Sequence, residues 1–223
     1  EYLEPEYNIY NLVSKRKKTR VKNEIVVDLR DKAKAKIFFN NFRKRNKVDI
    51  IIHLASRLAG PESVEGISLF YDNLKIAETV VSISRLLRPS KIINFSSIAV
   101  YPNKSGSYDE RSEIRPSVNT EGLYGLSKFC SENILDFMLK KTGICITHLR
   151  IAQVYGDGMR SDRVMSMMRE ELIEKNTITV YGNGVRESNF ILLQDLGKKV
   201  ELFLENNVPG VYNIGGERLS YLD

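Results

Sequence analysis

Tyr124 and Lys128 stand four residues apart in the run Tyr124-Gly125-Leu126-Ser127-Lys128. On a helix that spacing puts both side chains on one face, so a phenol and an ammonium can share a site. A phenol with its reference pKa of about 10 is a poor base at neutral pH. A neighbouring positive charge lowers that value. Lys128 is therefore expected to tune Tyr124 for general acid/base work. The pair alone says little, because a tyrosine and a lysine on a helix are commonly a snorkelling surface pair. A second feature lies upstream, where the apolar run Lys91 to Phe95 ends in Ser96 and Ser97. Two serines there can simply cap a turn. In an open parallel sheet, however, the C-terminal end of a strand is where ligands meet the protein. Ser97 could then hydrogen-bond the substrate oxygen that Tyr124 protonates or deprotonates.

The elements that must position these residues alternate between apolar runs and helical patterns, the signature of a parallel α/β sheet. Strands are predicted at 7–13, 24–27, 49–54, 91–95, 144–149, 178–181 and 211–214, and the runs Asp49 to Leu54 and Lys91 to Phe95 are of the buried kind. Helices are predicted over 32–45, 68–87, 124–141, 161–175 and 194–205. Pro89 and Gly143 act as stop signals for the second and third. The fold class is thus α/β, a doubly wound Rossmann-like parallel sheet with a small mixed α/β cap. We divide the chain into a nucleotide-binding unit over residues 1–152 and a substrate-binding cap over 153–223, interleaved with the main sheet.

Bulk properties narrow the function. The 223 residues carry a net charge of +6, with lysine and arginine crowded between Lys15 and Lys47. We read this as a solvated basic face, because aromatic residues are not interleaved with it as a single-strand nucleic-acid binder requires. No apolar run approaches the roughly 20 residues of a membrane span. Cys130 and Cys145 have no metal-ligand spacing, and no metal is expected. A cytoplasmic protein with reduced thiols is the expectation. His53 and His148 read as core or edge histidines, and Met165, Met167 and Met168 as the apolar face of a cap helix.

Taken in order, the motifs resemble the extended short-chain dehydrogenase/reductase superfamily, in its NAD-dependent epimerase/dehydratase branch. They are His53 to Ser56 (HLAS), a helix bearing Asn73, Ser96 to Tyr101 (SSIAVY), Tyr124 to Lys128 (YGLSK), Leu149 to Gly156 (LRIAQVYG), Val180 to Gly184 (VYGNG) and Tyr212 to Gly216 (YNIGG). The resemblance implies that Tyr124 is the acid/base, that Lys128 also holds the nicotinamide ribose, and that Ser97 orients the reacting sugar hydroxyl. It implies adenine contacts at Asp28 and Leu29, and a loop along the cofactor at Leu54, Ala55 and Ser56. By the same resemblance Asn73 matches the helix asparagine near the cofactor, and Gln153 falls where the family often has an asparagine facing the substrate. The chemistry implied is hydride transfer between a sugar carbon and a nicotinamide, in a homodimer acting on a nucleoside-diphosphate sugar. An epimerase returns the hydride; a keto-sugar reductase releases its product; a non-catalytic binding member of the fold is a third reading.

Several positions depart from that pattern. The strand and glycine-rich turn that hold the pyrophosphate in the family are not among the 223 residues. We expect roughly 20 further residues ahead of Glu1 to supply that first strand-turn-helix element. Where an acidic residue would bind the ribose of NAD, the chain has Ser14-Lys15-Arg16, and Ser14 and Arg16 suit the 2′-phosphate of NADP. Family habit favours NAD, so both cofactors stay open. The family's arginine on the substrate diphosphate aligns with Ser188; Arg186 and Arg218 are the candidate replacements. Ile98 and Ala99 occupy the places of the proton-transferring pair of dehydratases, which disfavours dehydration.

Overall fold

The structure, a computed structural model, describes residues 7–15, 23–58, 66–119, 121–180 and 182–222. Four parallel strands form the main sheet: β3 (Ile50–His53), β4 (Lys91–Ser97), β5 (Cys145–Ile151) and β8 (Gly210–Ile214), in the order β3-β4-β5-β8. Side chains alternate across β4, which shows how the sheet is covered on both faces. Ile92 packs with Phe39, Val80, Val81, Leu135 and Leu139. These come from α1 (Lys32–Phe42), α2 (Ile67–Leu87) and α3 (Gly122–Leu139). Ile93 points the other way and packs with Leu149, Leu196, Val200 and Leu204. The last three belong to α5 (Leu193–Glu205). That helix is tied down by Lys91, whose buried Nζ donates to the carbonyls of Phe203, Leu204 and Asn206 at 2.7, 2.5 and 2.9 Å. The doubly wound architecture is therefore present.

Among the described residues β1 (Asn11–Val13) and β2 (Glu24–Val26) pair in parallel with each other and form a sheet apart from the main one. Among the described residues no strand bridges β1 and β3. The three isoleucines of β3 are half-buried, in contrast to the buried run Lys91–Asn94 of β4.

The later elements also differ. β6 (Gln153–Tyr155), β7 (Glu187–Leu192) and β9 (Glu217–Ser220) make a small mixed sheet in the order β6-β7-β9, none of them predicted. The strand expected at 178–181 is absent over 178–180, and position 181 lies outside the described residues. Its β-branched composition is overruled by a side chain: the Glu171 carboxylate takes both the backbone N–H and the hydroxyl of Thr179, at 2.7 and 2.8 Å. Glu171 belongs to α4 (Val164–Lys175), a helix with no buried residue.

Candidate active site

β4 runs to Ser97, two residues beyond its predicted end, and so carries both serines to the C-terminal edge of the sheet. Ser97 Oγ accepts the backbone N–H of Ala99 at 3.1 Å and caps the short 3-10 turn Ile98–Val100. Helix α3 is pressed against that turn at Gly125. A β-carbon there would fall 2.0 Å from the Ala99 carbonyl oxygen. This close approach is what brings Tyr124 and Ser97 to the same edge.

Lys128 is buried, and its Nζ donates to the Phe95 carbonyl at 2.8 Å. The same ammonium lies 5.7 Å from the centre of the Tyr124 ring. Burial pulls Lys128 down to about 8, against the upward push of Glu132. Burial pushes the Tyr124 phenol up to about 12, helped by the Glu121 carboxylate. Arg163 and a hydrogen bond with Ser56 pull it the other way. Lys128 is engaged at the Phe95 carbonyl, and desolvation of the phenol outweighs the pull of Arg163 and Ser56.

The expected cofactor residues fall into two groups. Asn73 is fully used as a clamp. Its amide nitrogen donates to Ser127 Oγ at 2.9 Å and to the Arg57 carbonyl at 3.1 Å. Its oxygen accepts from Arg57 N at 2.7 Å and Ser56 Oγ at 3.3 Å. Ser127 Oγ in turn donates to the Tyr124 carbonyl at 2.7 Å. The loop Leu54-Ala55-Ser56 is thereby fastened to the helix of Tyr124, with Leu54 58% exposed at the sheet edge. The other group lies on the β1–β2 side. Asp28 is bound side-on by Arg30, which holds its carboxyl below the usual range, and Leu29 is buried. Ser14 is exposed just after β1, and Arg16 lies outside the described residues.

The substrate candidates are only partly gathered. Gln153 on β6 donates to Ser188 Oγ on β7 at 2.9 Å. Arg218 on β9 is paired with Glu187, with Nε 2.6 Å from Oε2. Arg186 is exposed ahead of β7. Burial drives His53 down to about 3, so it is neutral. Asn94 Nδ2 donates to His148 Nδ1 at 2.9 Å, and His148 Nε2 faces Asp136 at 3.0 Å. Among the described residues no three His, Cys, Asp or Glu could hold a metal, and no helix is long and apolar enough to cross a membrane.

Sequence reading missed two pairs. Arg163, at the start of α4, reaches Glu121, at the start of α3, at 3.3 Å. Glu132 and Arg150 form a buried pair at 2.8 Å. The signal for Glu132 was an acid at i+4 from Lys128 on a face that also buries Leu135 and Leu139.

A profile of the NAD dependent epimerase/dehydratase family matches residues 1–215. The chain is 29% identical over 184 residues to an uncharacterised UDP-glucose epimerase of Bacillus subtilis, covering 78% of this chain and 56% of that protein. It is 29% identical over 146 residues to the UDP-glucose 4-epimerase of Mycoplasma genitalium, covering 60% and 43%. The chain thus spans about half the length of these curated relatives. Among solved structures it superposes on the NAD complex of UDP-glucuronic acid 4-epimerase from Bacillus cereus with TM-score 0.75 and 24% identity, over 90% of this chain and 62% of that one. The chain belongs to the NAD dependent epimerase/dehydratase family.

Proposed function

We propose that this member of the NAD dependent epimerase/dehydratase family is an epimerase of nucleoside-diphosphate sugars, with Tyr124 as its acid/base. The observation that supports this best is the approach of Gly125 to Ala99, which puts Tyr124, Lys128 and Ser97 at one sheet edge.

The residues at that edge fit the nicotinamide half of NAD. The buried Lys128 ammonium has hydrogens beyond the one given to Phe95, the Tyr124 hydroxyl adjoins Ser56, and Leu54 offers an exposed apolar surface. Lys128 and Tyr124 would hold the ribose hydroxyls, while Asp28 and Leu29 would take the adenine. When bound, the nicotinamide supplies a hydride acceptor that can return what it takes. Tyr124 Oη would remove the proton of the sugar hydroxyl and later give it back, and the Ser97 hydroxyl would orient that oxygen. An oxidised nicotinamide carries a positive charge, which acts on the phenol against the upward push of burial. Ile98 and Ala99 carry no proton-transferring group, so elimination of water is not part of this reading. Gln153 and Ser188 would face the sugar nucleotide, with Arg186 or Arg218 as the cation toward its diphosphate. Arg218 would first have to leave Glu187.

The natural full-length protein, offered UDP-, GDP- and dTDP-sugars, should interconvert epimers of at least one without net consumption of cofactor. Tyr124→Phe should lower the rate at least ~10²-fold. A Tyr124→Phe enzyme with undiminished turnover would refute the assignment. Stoichiometric oxidation of NADH would mark a keto-sugar reductase instead. Tighter binding of NAD than NADP, read by fluorescence titration, would remove any role for Ser14 and Arg16 in holding a 2′-phosphate.

A further inference from the structure

The helix of Tyr124 carries an ionisable group that the chemistry above does not use. Glu132 stands one turn beyond Lys128 and is 3% exposed. Its carboxylate is bidentate with Arg150 of β5, Nε to Oε1 at 3.1 Å and Nη2 to Oε2 at 2.8 Å, and it also takes the hydroxyl hydrogen of Ser96. Arg150, 4% exposed, reaches onward. Its Nη1 donates to the Tyr101 hydroxyl at 2.9 Å and to the Glu110 carbonyl at 3.4 Å. Tyr101 Oη donates to Asn213 Oδ1 on β8 at 2.8 Å.

Stability is a weak reason for such a pair, because desolvation of two buried charges offsets their attraction, and apolar residues of like volume commonly serve as well. Its placement supplies a better reason. Lys128 and Glu132, one helical turn apart, grip consecutive residues of β4: Lys128 the carbonyl of Phe95, Glu132 the hydroxyl of Ser96. Ser97 comes next on the strand, and Tyr124 lies one turn earlier on the helix. The two grips together fix how far α3 sits along β4.

We propose that Glu132 and Arg150 are a positioning pair for the reaction: they hold α3 in the register that sets Tyr124 beside Ser97, and they keep a negative charge one turn from the Lys128 ammonium. This rests on the assignment of Tyr124 and Lys128 made above. Among the described residues, the ionisable groups around Lys128 are Glu132 and Tyr124 on its own helix and the neutral His53 on β3, with Arg150 on β5 behind Glu132. Glu132 is the one that opposes the loss of the Lys128 proton.

Two readouts on the natural full-length protein test the pair. One is the titration of Lys128, followed by ¹⁵N NMR of lysine-labelled protein without substrate and assigned by the signal lost in Lys128→Met. The other is the division of any kinetic loss between kcat and KM. Glu132→Gln preserves shape and removes the charge. It should lower the Lys128 midpoint and reduce kcat about 10-fold or more, with KM for the sugar nucleotide nearly unchanged. If Glu132→Gln does not fold, Glu132→Leu combined with Arg150→Met removes both charges together and should show the same two changes. A folded variant in which neither readout moves, whatever its thermal midpoint, overturns the proposal and leaves the pair a packing element. No turnover by the unsubstituted protein would instead count against the proposed function, and the Lys128 titration would still decide the positioning role.

Discussion

His53 and Lys128 approach the edge that holds Tyr124 from two different elements, and burial acts on both in the same direction, against the charged form. For His53 the consequence is an acid sensitivity with a definite window. The imidazole is held at about 3 in the fold, against 6.5 when unfolded. Between those values the unfolded chain binds the proton and the folded chain does not. Stability therefore falls as pH drops through 6.5 toward 3. The full shift sets an upper value of about 5 kcal/mol. Urea midpoints at pH 7 and pH 4 should fall further in the natural sequence than in His53→Gln. Equal falls would mean that His53 is not buried as described. Lys128 acts in a different range. It releases its proton at about 8 in the fold and at 10.5 when unfolded, so it adds stability as pH rises between those values.

Two glycines show how differently one residue type serves two ends of the helix α3. At Gly125 an added β-carbon would meet backbone, the Ala99 carbonyl carbon at 2.7 Å and its oxygen closer still. Backbone cannot step aside as a side chain can, so Gly125→Ala must lift α3 away from the Ser97 turn. We expect a loss of about 3 kcal/mol, together with activity lost well below the melting temperature. At Gly143, just past the helix, φ is +74° and nothing lies within 4 Å of the added carbon. Gly143→Ala should cost only about 1 kcal/mol, the strain of a left-handed alanine, and leave the site intact. Thermal melts of the two variants, with activity measured at a temperature where both are folded, check the contrast. Elements of this kind are the part of the fold most legible in the sequence. Pro89, Gly143 and the apolar periodicity of α2 and α3 mark them locally. β6, β7 and β9 are not legible in that way. Each is short, and its pairing depends on chain segments more than 25 residues away, as Gln153 with Phe190. The site is legible to the same degree. Ser97, Tyr124 and Lys128 stand in local motifs, whereas Glu121 with Arg163 and Glu132 with Arg150 are pairs across 42 and 18 residues.

At the scale of the whole molecule, the main sheet is covered on one face by α1, α2 and α3, and α2 and α3 expose Tyr71, Leu126, Phe137 and Met138. On α3, Leu126 and Phe137 lie on a stripe of i, i+4, i+7 and i+11 spacing that also carries Cys130 and Asn133. Phe137 is 81% exposed, and Tyr71 on the adjacent α2 is 54% exposed. Large aromatic side chains left in water are a reason for two copies to meet there. The homodimer that the family resemblance implies would form through these two helices. Sedimentation velocity at micromolar protein should show twice the mass of one chain. Phe137→Glu, which places a charge at the exposed end of the stripe, should weaken the dimer by about 10-fold or more. A natural sequence that sediments as one chain at these concentrations would refute the dimer, and a Phe137→Glu variant that stays dimeric would place its interface elsewhere. Either outcome would leave the site intact, since Ser97, Tyr124 and Lys128 all come from a single chain.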